Sequence, residues 1–291
     1  MSHQVILSQS ESAQLWFAKL ALTFKHAADR TTLERRQHWG PVRVQKMLWP
    51  EKNGICHVIL VHPPAGIAGG DHLSFEIVCG QGAHAVLTTP GAGKWYKTNQ
   101  KRAYQYINLQ VDAGAILEWL PQETMLFNGA HAHTQTRVQL HQDAGCIVWD
   151  MLVIGRQARD ESFEIGQYRS EMLIQREAQL LLHDVLNFAG NDRFLKSSLG
   201  MNGHAVMGSF YAIAPTGLRN QDELDRDIEQ MRDLITRMQI SVRITRLNDL
   251  ISARYLGNDV RQCHDAFAAL RAKCRQMWWQ LDEAFPRIWR T

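Results

Sequence analysis

The segment from 73 to 154 decides the fold: Leu73–Val78 (LSFEIV), Ala85–Thr89 (AVLTT), Tyr104–Val111 (YQYINLQV), Ala115–Leu120 (AILEWL), Gln135–Leu140 (QTRVQL) and Cys146–Ile154 (CIVWDMLVI). Turn residues separate these runs, at Gly80, Asp112-Ala113-Gly114, Asn128-Gly129 and Asp143-Ala144-Gly145. Short apolar or alternating runs with punctuation at this spacing read as strands, and none of the gaps holds a crossover helix. Working outward, Leu15–Phe24, Val42–Leu48 and Cys56–Val61 extend the pattern toward the N-terminus, and strand character continues to about Ile213. The expected fold is mainly β, a multi-stranded body of stacked sheets or a solenoid-like coil, and the sequence alone leaves both open.

The pattern changes after Gly217. Asn220 can cap a helix with Glu223 returning to it, and Leu224, Ile228, Met231, Ile235 and Met238 recur at helical spacing. Ile240, Val242 and Ile244 alternate as one more strand. Val260, Cys263, Phe267, Leu270, Cys274, Met277 and Leu281 then follow a heptad spacing. Two helices are therefore expected, near 220–239 and 258–282. Residues 1–215 form the β body, and 216–291 a helical segment packed on it as part of one integrated domain. The aromatic tail Trp278-Trp279, Phe285, Ile288 and Trp289 suits either an interface or packing on that body.

Composition narrows the function classes. Of 291 residues 45% are apolar and 21% charged, an ordinary globular balance. A net charge of +3 without a basic stripe argues against a nucleic-acid partner. No run reaches the ~18 apolar residues of a membrane helix, and the N-terminus lacks a basic, apolar leader. The five cysteines form no CxxC and leave one thiol over, so a reducing, cytoplasmic compartment is expected.

Catalytic signatures are missing. Gly93-Lys94 has Thr88 where a phosphate loop needs its first Gly, and Trp95 where it needs a hydroxyl. Neither GxSxG, HExxH nor an EF-hand loop occurs. His131-Ala132-His133 has metal-binding spacing but no carboxylate before Asp143, and reads as a solvated loop pair after Asn128-Gly129. A metal-dependent enzyme using His62, His72, His84, His131 or His133 is the alternative from a different class.

Three ordered segments carry a specific signal: His62-Pro63-Pro64-Ala65-Gly66-Ile67-Ala68-Gly69-Gly70-Asp71, then Leu87–Tyr96 (LTTPGAGKWY), then Leu117–Thr124 (LEWLPQET), followed by Gly155-Arg156 and Glu161-Ser162-Phe163. With these segments the chain resembles the UreD (UreH) family of urease accessory proteins over roughly residues 15–215. Ala65 departs from the resemblance, because the family usually has a second Gly there; Trp95 stands where the family often has a smaller residue. The resemblance implies a non-catalytic maturation chaperone. Such a protein binds UreF, the nickel-carrying GTPase UreG and apo-urease, and handles nickel transiently without a stable cofactor or metal site. It also implies a polar passage for nickel, with Asp71, Thr88, Asp150 and Asp184 as the inward candidates. Asp150 interrupts an apolar strand, and a charge there is costly unless hydrated, paired or facing a metal. The motif residues His62, Gly69, Gly70, Thr89, Glu118, Trp119, Pro121, Gln122, Glu123, Arg156 and Glu161 read as scaffold. Here the glycines allow positive φ, Glu118 and Glu123 flank the rigid Pro121 corner as solvated carboxylates, and Arg156 with Glu161 forms a turn-spanning ion pair.

Overall fold

The computed structural model describes residues 16–290; Leu15, the expected start of the first strand, lies outside the described residues. A hairpin of β1 (Phe17–Ala27) and β2 (Arg30–Trp39) opens the chain, and a second joins β3 (Arg43–Leu48) to β4 (Cys56–Val61). The chain then winds through β5 (His72–Cys79), β6 (His84–Thr88), β7 (Gly93–Trp95), β8 (Ala103–Val111), β9 (Ile116–Leu120), β10 (Thr124–Leu126), β11 (His131–Leu140), β12 (Gly145–Ile154) and β13 (Gln167–Arg176). After β14 (Gln179–Ala189) come a one-turn helix α1 (Arg193–Lys196), β15 (Val206–Ile213), α2 (Gln221–Met238), β16 (Val242–Leu247), β17 (Leu250–Gly257) and α3 (Val260–Trp279).

Stacked sheets and a coil turn out to be the same object. Successive turns of the chain place β1, β5, β8, β11 and β13 side by side in parallel, as one wide face. The intervening β4, β6, β9 and β12 form the opposite wide face, also parallel. A narrow third side runs from Ile67 through β7 and β10 to the end of β12. Antiparallel strands close both sheets: β2 and β14 flank the first, while β3 at one end and β15, β17 and β16 at the other flank the second. The C-terminal strands thus complete a sheet of the β body, so residues after 216 contribute more than helices.

Alternation along the strands sorts residues between two cores. Ala85, Leu87, Leu117, Trp119, Cys146, Val148 and Leu152 face the interior between the sheets. Val86, Leu120, Ile147, Trp149, Met151 and Val153 face α2 and α3 on the other side. The second sheet is covered on both faces, which explains why β12 reads as an almost unbroken apolar run. The polar β2 sits at the edge of the first sheet with one fully buried side chain, Thr31, and its sequence RTTLERRQHW carries no apolar alternation to reveal it. The expected cap of α2 is present, since Asn220 accepts from the Glu223 amide and the Glu223 carboxylate accepts from the Asn220 amide.

Close approach of α3 to β15 depends on Gly208. A Cβ there would lie 2.3 Å from Cys263 Sγ and 2.7 Å from Phe267 Cζ. Gly208→Ala is expected to push the helix off the sheet and cost about 1–3 kcal/mol, the usual range for overpacking. Denaturant unfolding checks this; an unchanged midpoint would contradict the packing described.

Candidate functional site in the β body

A cavity of about 360 Å³ lies inside the body, lined from both wide faces and from the narrow side. Its apolar walls include Leu60, Leu73, Phe75, Ile107 and Trp119; its polar groups come from His62, Thr89, Gln105, Gln122, Thr124, Thr134, Thr136 and Asp150. Thr134 and Thr136 are inward residues of β11, two hydroxyls in line along one strand. The exposed Ala65, Gly91 and Gly93 mark the side on which the cavity meets solvent. Lys94 is the cation of the lining among the described residues, and its half-exposed position lets the ammonium stay in water.

Asp150 is the carboxylate of this cavity among the described residues. Its place in β12 alternates inward with Val148 and Leu152, opposite the face that carries Trp149. Thr124 Oγ1 lies 3.5 Å from Asp150 Oδ1. Burial pushes the carboxyl up to about 6 and Asp184 adds to the rise, while hydrogen bonds from the Met151 amide and Thr124 and the charge of Arg254 offset only part of it. Near neutral pH the group is therefore a carboxylate in an unfavourable place, only partly compensated by these neighbours.

The other expected passage residues lie elsewhere. Thr88, the last residue of β6, and Thr89, just beyond it, face opposite sides. Thr89 reaches the cavity and accepts from the Gln122 amide at 2.9 Å. Thr88 faces the C-terminal segment and accepts from Trp289 Nε1 at 2.9 Å. Asp71 is buried in its turn, its Oδ2 accepting from the Ala68 amide at 2.8 Å. Asp184 sits on the edge strand β14, where it accepts from Tyr211 Oη and Arg254 Nη2, both at 2.7 Å. Asp150, Ser209 and Arg254 are register neighbours across β12, β15 and β17, so Asp184 marks the far end of a polar row that begins at the cavity.

The motif residues resolve into three tasks. In the first loop, Gly70 has a φ of 94°, whereas Gly66 and Gly69 do not take positive φ and are instead crowded by Tyr96 and Thr98. Ala65 is the residue with φ of 65°, a conformation that glycine adopts at no steric cost. At the corner after β9, the Pro121 carbonyl accepts from Trp149 Nε1 at 2.8 Å, and the Glu123 carbonyl accepts from the Gly93 amide at 2.8 Å. Arg156 and Glu161 form the expected ion pair, with Glu161 also accepting from the Asn128 amide at 3.1 Å.

Glu118 departs most from expectation. It is fully buried beneath α3 rather than solvated. Its carboxylate is held by Arg271 Nε at 2.5 Å, His84 Nε2 at 2.7 Å and Arg275 Nη1, and Arg275 reaches on to Glu51, which is bonded to His57. Although burial alone would raise it, the two guanidinium groups and His84 hold the Glu118 carboxyl well below the usual carboxylate range. Arg271 and Arg275 escaped the reading of the α3 stripe because they are long-range partners of Glu118, 153 and 157 residues away.

The histidine pair is also placed differently. His131 and His133 lie on β11, not in a loop, and His133 packs against Tyr104 and Tyr106 on the outer face of the first sheet. Among the described residues no group of three or more His, Cys, Asp or Glu is arranged to hold a metal ion. All five cysteines are buried and unpaired with one another. The C-terminal aromatics pack on the body: Trp278 Nε1 donates to Asp227 at 2.9 Å, and Trp289 lies 5.3 Å from Trp149. No described helix is long and apolar enough to cross a membrane.

The profile of the family described as UreD urease accessory protein matches residues 17–290. The urease accessory protein UreD of Acinetobacter baumannii (strain ACICU) is 58% identical over 283 residues, 97% of each chain. That of Dechloromonas aromatica (strain RCB) is 38% identical over the full length of both. A protein named urease accessory protein UreD 2, from Psychrobacter cryohalolentis, is 34% identical over 95% of this chain and 99% of its own. The chain belongs to the UreD family of urease accessory proteins.

Proposed function

We propose that this protein is a non-catalytic, cytoplasmic chaperone of urease maturation, which binds apo-urease together with UreF and UreG and passes nickel through its β body toward the urease active site. The observation that supports this reading is the interior cavity, whose described lining brings hydroxyls and side-chain amides together with the carboxylate of Asp150. Oxygen donors of this kind can replace part of a divalent ion's hydration shell without holding it firmly. Asp150 is the interior station of that passage, and the row through Ser209 and Arg254 to Asp184 is its continuation toward the sheet edge. Nickel is cargo here, and no cofactor is bound stably.

Co-expression of the urease subunits and remaining accessory proteins, with and without this chain, tests the proposal. With the chain present, purified urease should carry nickel and be active; without it, both should fall to background. Glu229→Gln, which removes one half of an exposed ion pair with Arg232, should behave as the parent does. Equal nickel loading with and without the chain would overturn the proposal.

A further inference from the structure

Glu118 is met by two guanidinium groups, whereas Asp150 is bonded to none. Arg254, the cation of the polar row that leads away from Asp150, donates instead to Asp184, Ser209 and Tyr211. Every other residue of β12 is buried, yet Asp150 keeps accessible surface. The strand is covered on both faces and has neighbours at both edges, β9 and β10 on one side and β15 on the other. The surface that Asp150 keeps therefore belongs to the cavity it lines.

Around this carboxylate the cavity is mostly apolar. Leu73, Phe75 and Trp119 wall it, and the Phe75 and Trp119 rings meet edge-on with centroids 6.0 Å apart. Thr124, Thr134 and Thr136 add hydroxyl oxygens, with Thr124 Oγ1 at 3.5 Å from the carboxylate. A lone anion, oxygen acceptors and aromatic rings together suit one class of ligand, an ammonium group on a compact apolar body. The ammonium donates three hydrogen bonds and neutralises the carboxylate, ring faces attract it, and the body gains by leaving water for the walls. An anion would be repelled by Asp150, and a neutral guest would leave its charge uncompensated. At about 360 Å³ the cavity lies near the lower end of small-molecule sites, about 300–1,000 Å³. Lys94 is half-exposed, so its ammonium can stay in water and leave Asp150 to the guest.

We propose that this cavity is a binding site for a small organic cation, a primary ammonium on an aromatic or aliphatic body, with Asp150 as its counter-ion. The site is built for a free molecule that enters past the exposed Ala65, Gly91 and Gly93. It goes beyond the maturation reading and does not depend on it.

The test is isothermal titration calorimetry of the purified full chain at pH 8, with benzylamine as the probe. One site per chain is expected, with a Kd on the order of 0.1–1 mM for so small a ligand. Benzyl alcohol keeps the body without the charge, and methylamine keeps the charge without the body; each should bind about tenfold more weakly, or worse. Asp150→Asn should weaken benzylamine about tenfold or more and leave benzyl alcohol unchanged, which shows the cavity intact in the variant. Glu229→Gln should bind benzylamine as the parent does. Absence of benzylamine binding, equal binding of benzyl alcohol or methylamine, or undiminished binding by Asp150→Asn overturns the proposal. Neither metal nor urease is present in the measurement, so its failure leaves the maturation reading standing, and its success does not rest on that reading.

Discussion

Asp150→Asn is expected to give a protein that is more stable than the parent above pH 7 and that delivers less nickel. The sign follows from the raised carboxyl. With a native value of about 6 against an ordinary 3.8, the folded state holds a proton between those pH values that the unfolded state has already released. Stability therefore falls as pH rises through that window, and above it the penalty is complete, about 3 kcal/mol at most. An amide avoids the charge but still needs hydrogen bonds, so the expected net gain at pH 8 is about 1–2 kcal/mol. Denaturant midpoints at pH 8 and pH 4 check it, because the two proteins should converge at the lower pH. Urease matured with the variant should carry well under half the parent's nickel while UreF, UreG and apo-urease still co-purify. A variant that loses stability at pH 8 would show that Asp150 is compensated by a structural partner, and full nickel loading would remove it from the passage.

A residue that destabilises its own fold while interrupting an apolar strand was already visible in the sequence. Asp150 stood out in CIVWDMLVI because every neighbour wants burial, and the period of two assigned its face once the strand was known. The strand-rich body was legible for the same reason, because short runs and Gly or Asp turns recur without helices between them, but its winding as a parallel coil was not. The lining of the cavity was not. Gln105, Thr124, Thr134 and Asp150 come from strands that meet only through the register of successive turns. Thr134 and Thr136 were within reach of the alternation in HAHTQTRVQL, but the histidines on the opposite face of that strand drew the metal reading to solvent. Thr88 shows the converse limit, because period two separates it from Thr89 without saying which of the two faces inward.

Removing the charge of Glu118 should have the largest effect on stability. Glu118→Gln keeps the shape of the side chain but leaves Arg271 and Arg275, both fully buried, without their shared carboxylate. Orphaning buried charges of this kind costs about 3–5 kcal/mol. Arg271 Nη2 and Arg275 Nε already lack hydrogen-bond partners, so the network has little spare capacity to absorb the loss. The parent's stability from Glu118 is present above the ordinary value of 4.5 and is lost only as pH falls through its depressed native value. The variant should thus unfold earlier across the neutral range, and the gap should close toward strong acid. Because the partners lie on α3, amides of that helix should lose hydrogen-exchange protection before those of β9. Pairing Glu118→Leu with Arg271→Met replaces one buried ion pair by apolar volume and leaves Arg275 bonded to Glu51; this double variant should recover most of the loss. Such recovery, with nickel loading of urease restored alongside stability, assigns the Glu of LEWLPQET to fastening α3 on the β body. Recovery of stability without nickel loading would instead place the Glu118 carboxylate itself in the transfer of the ion.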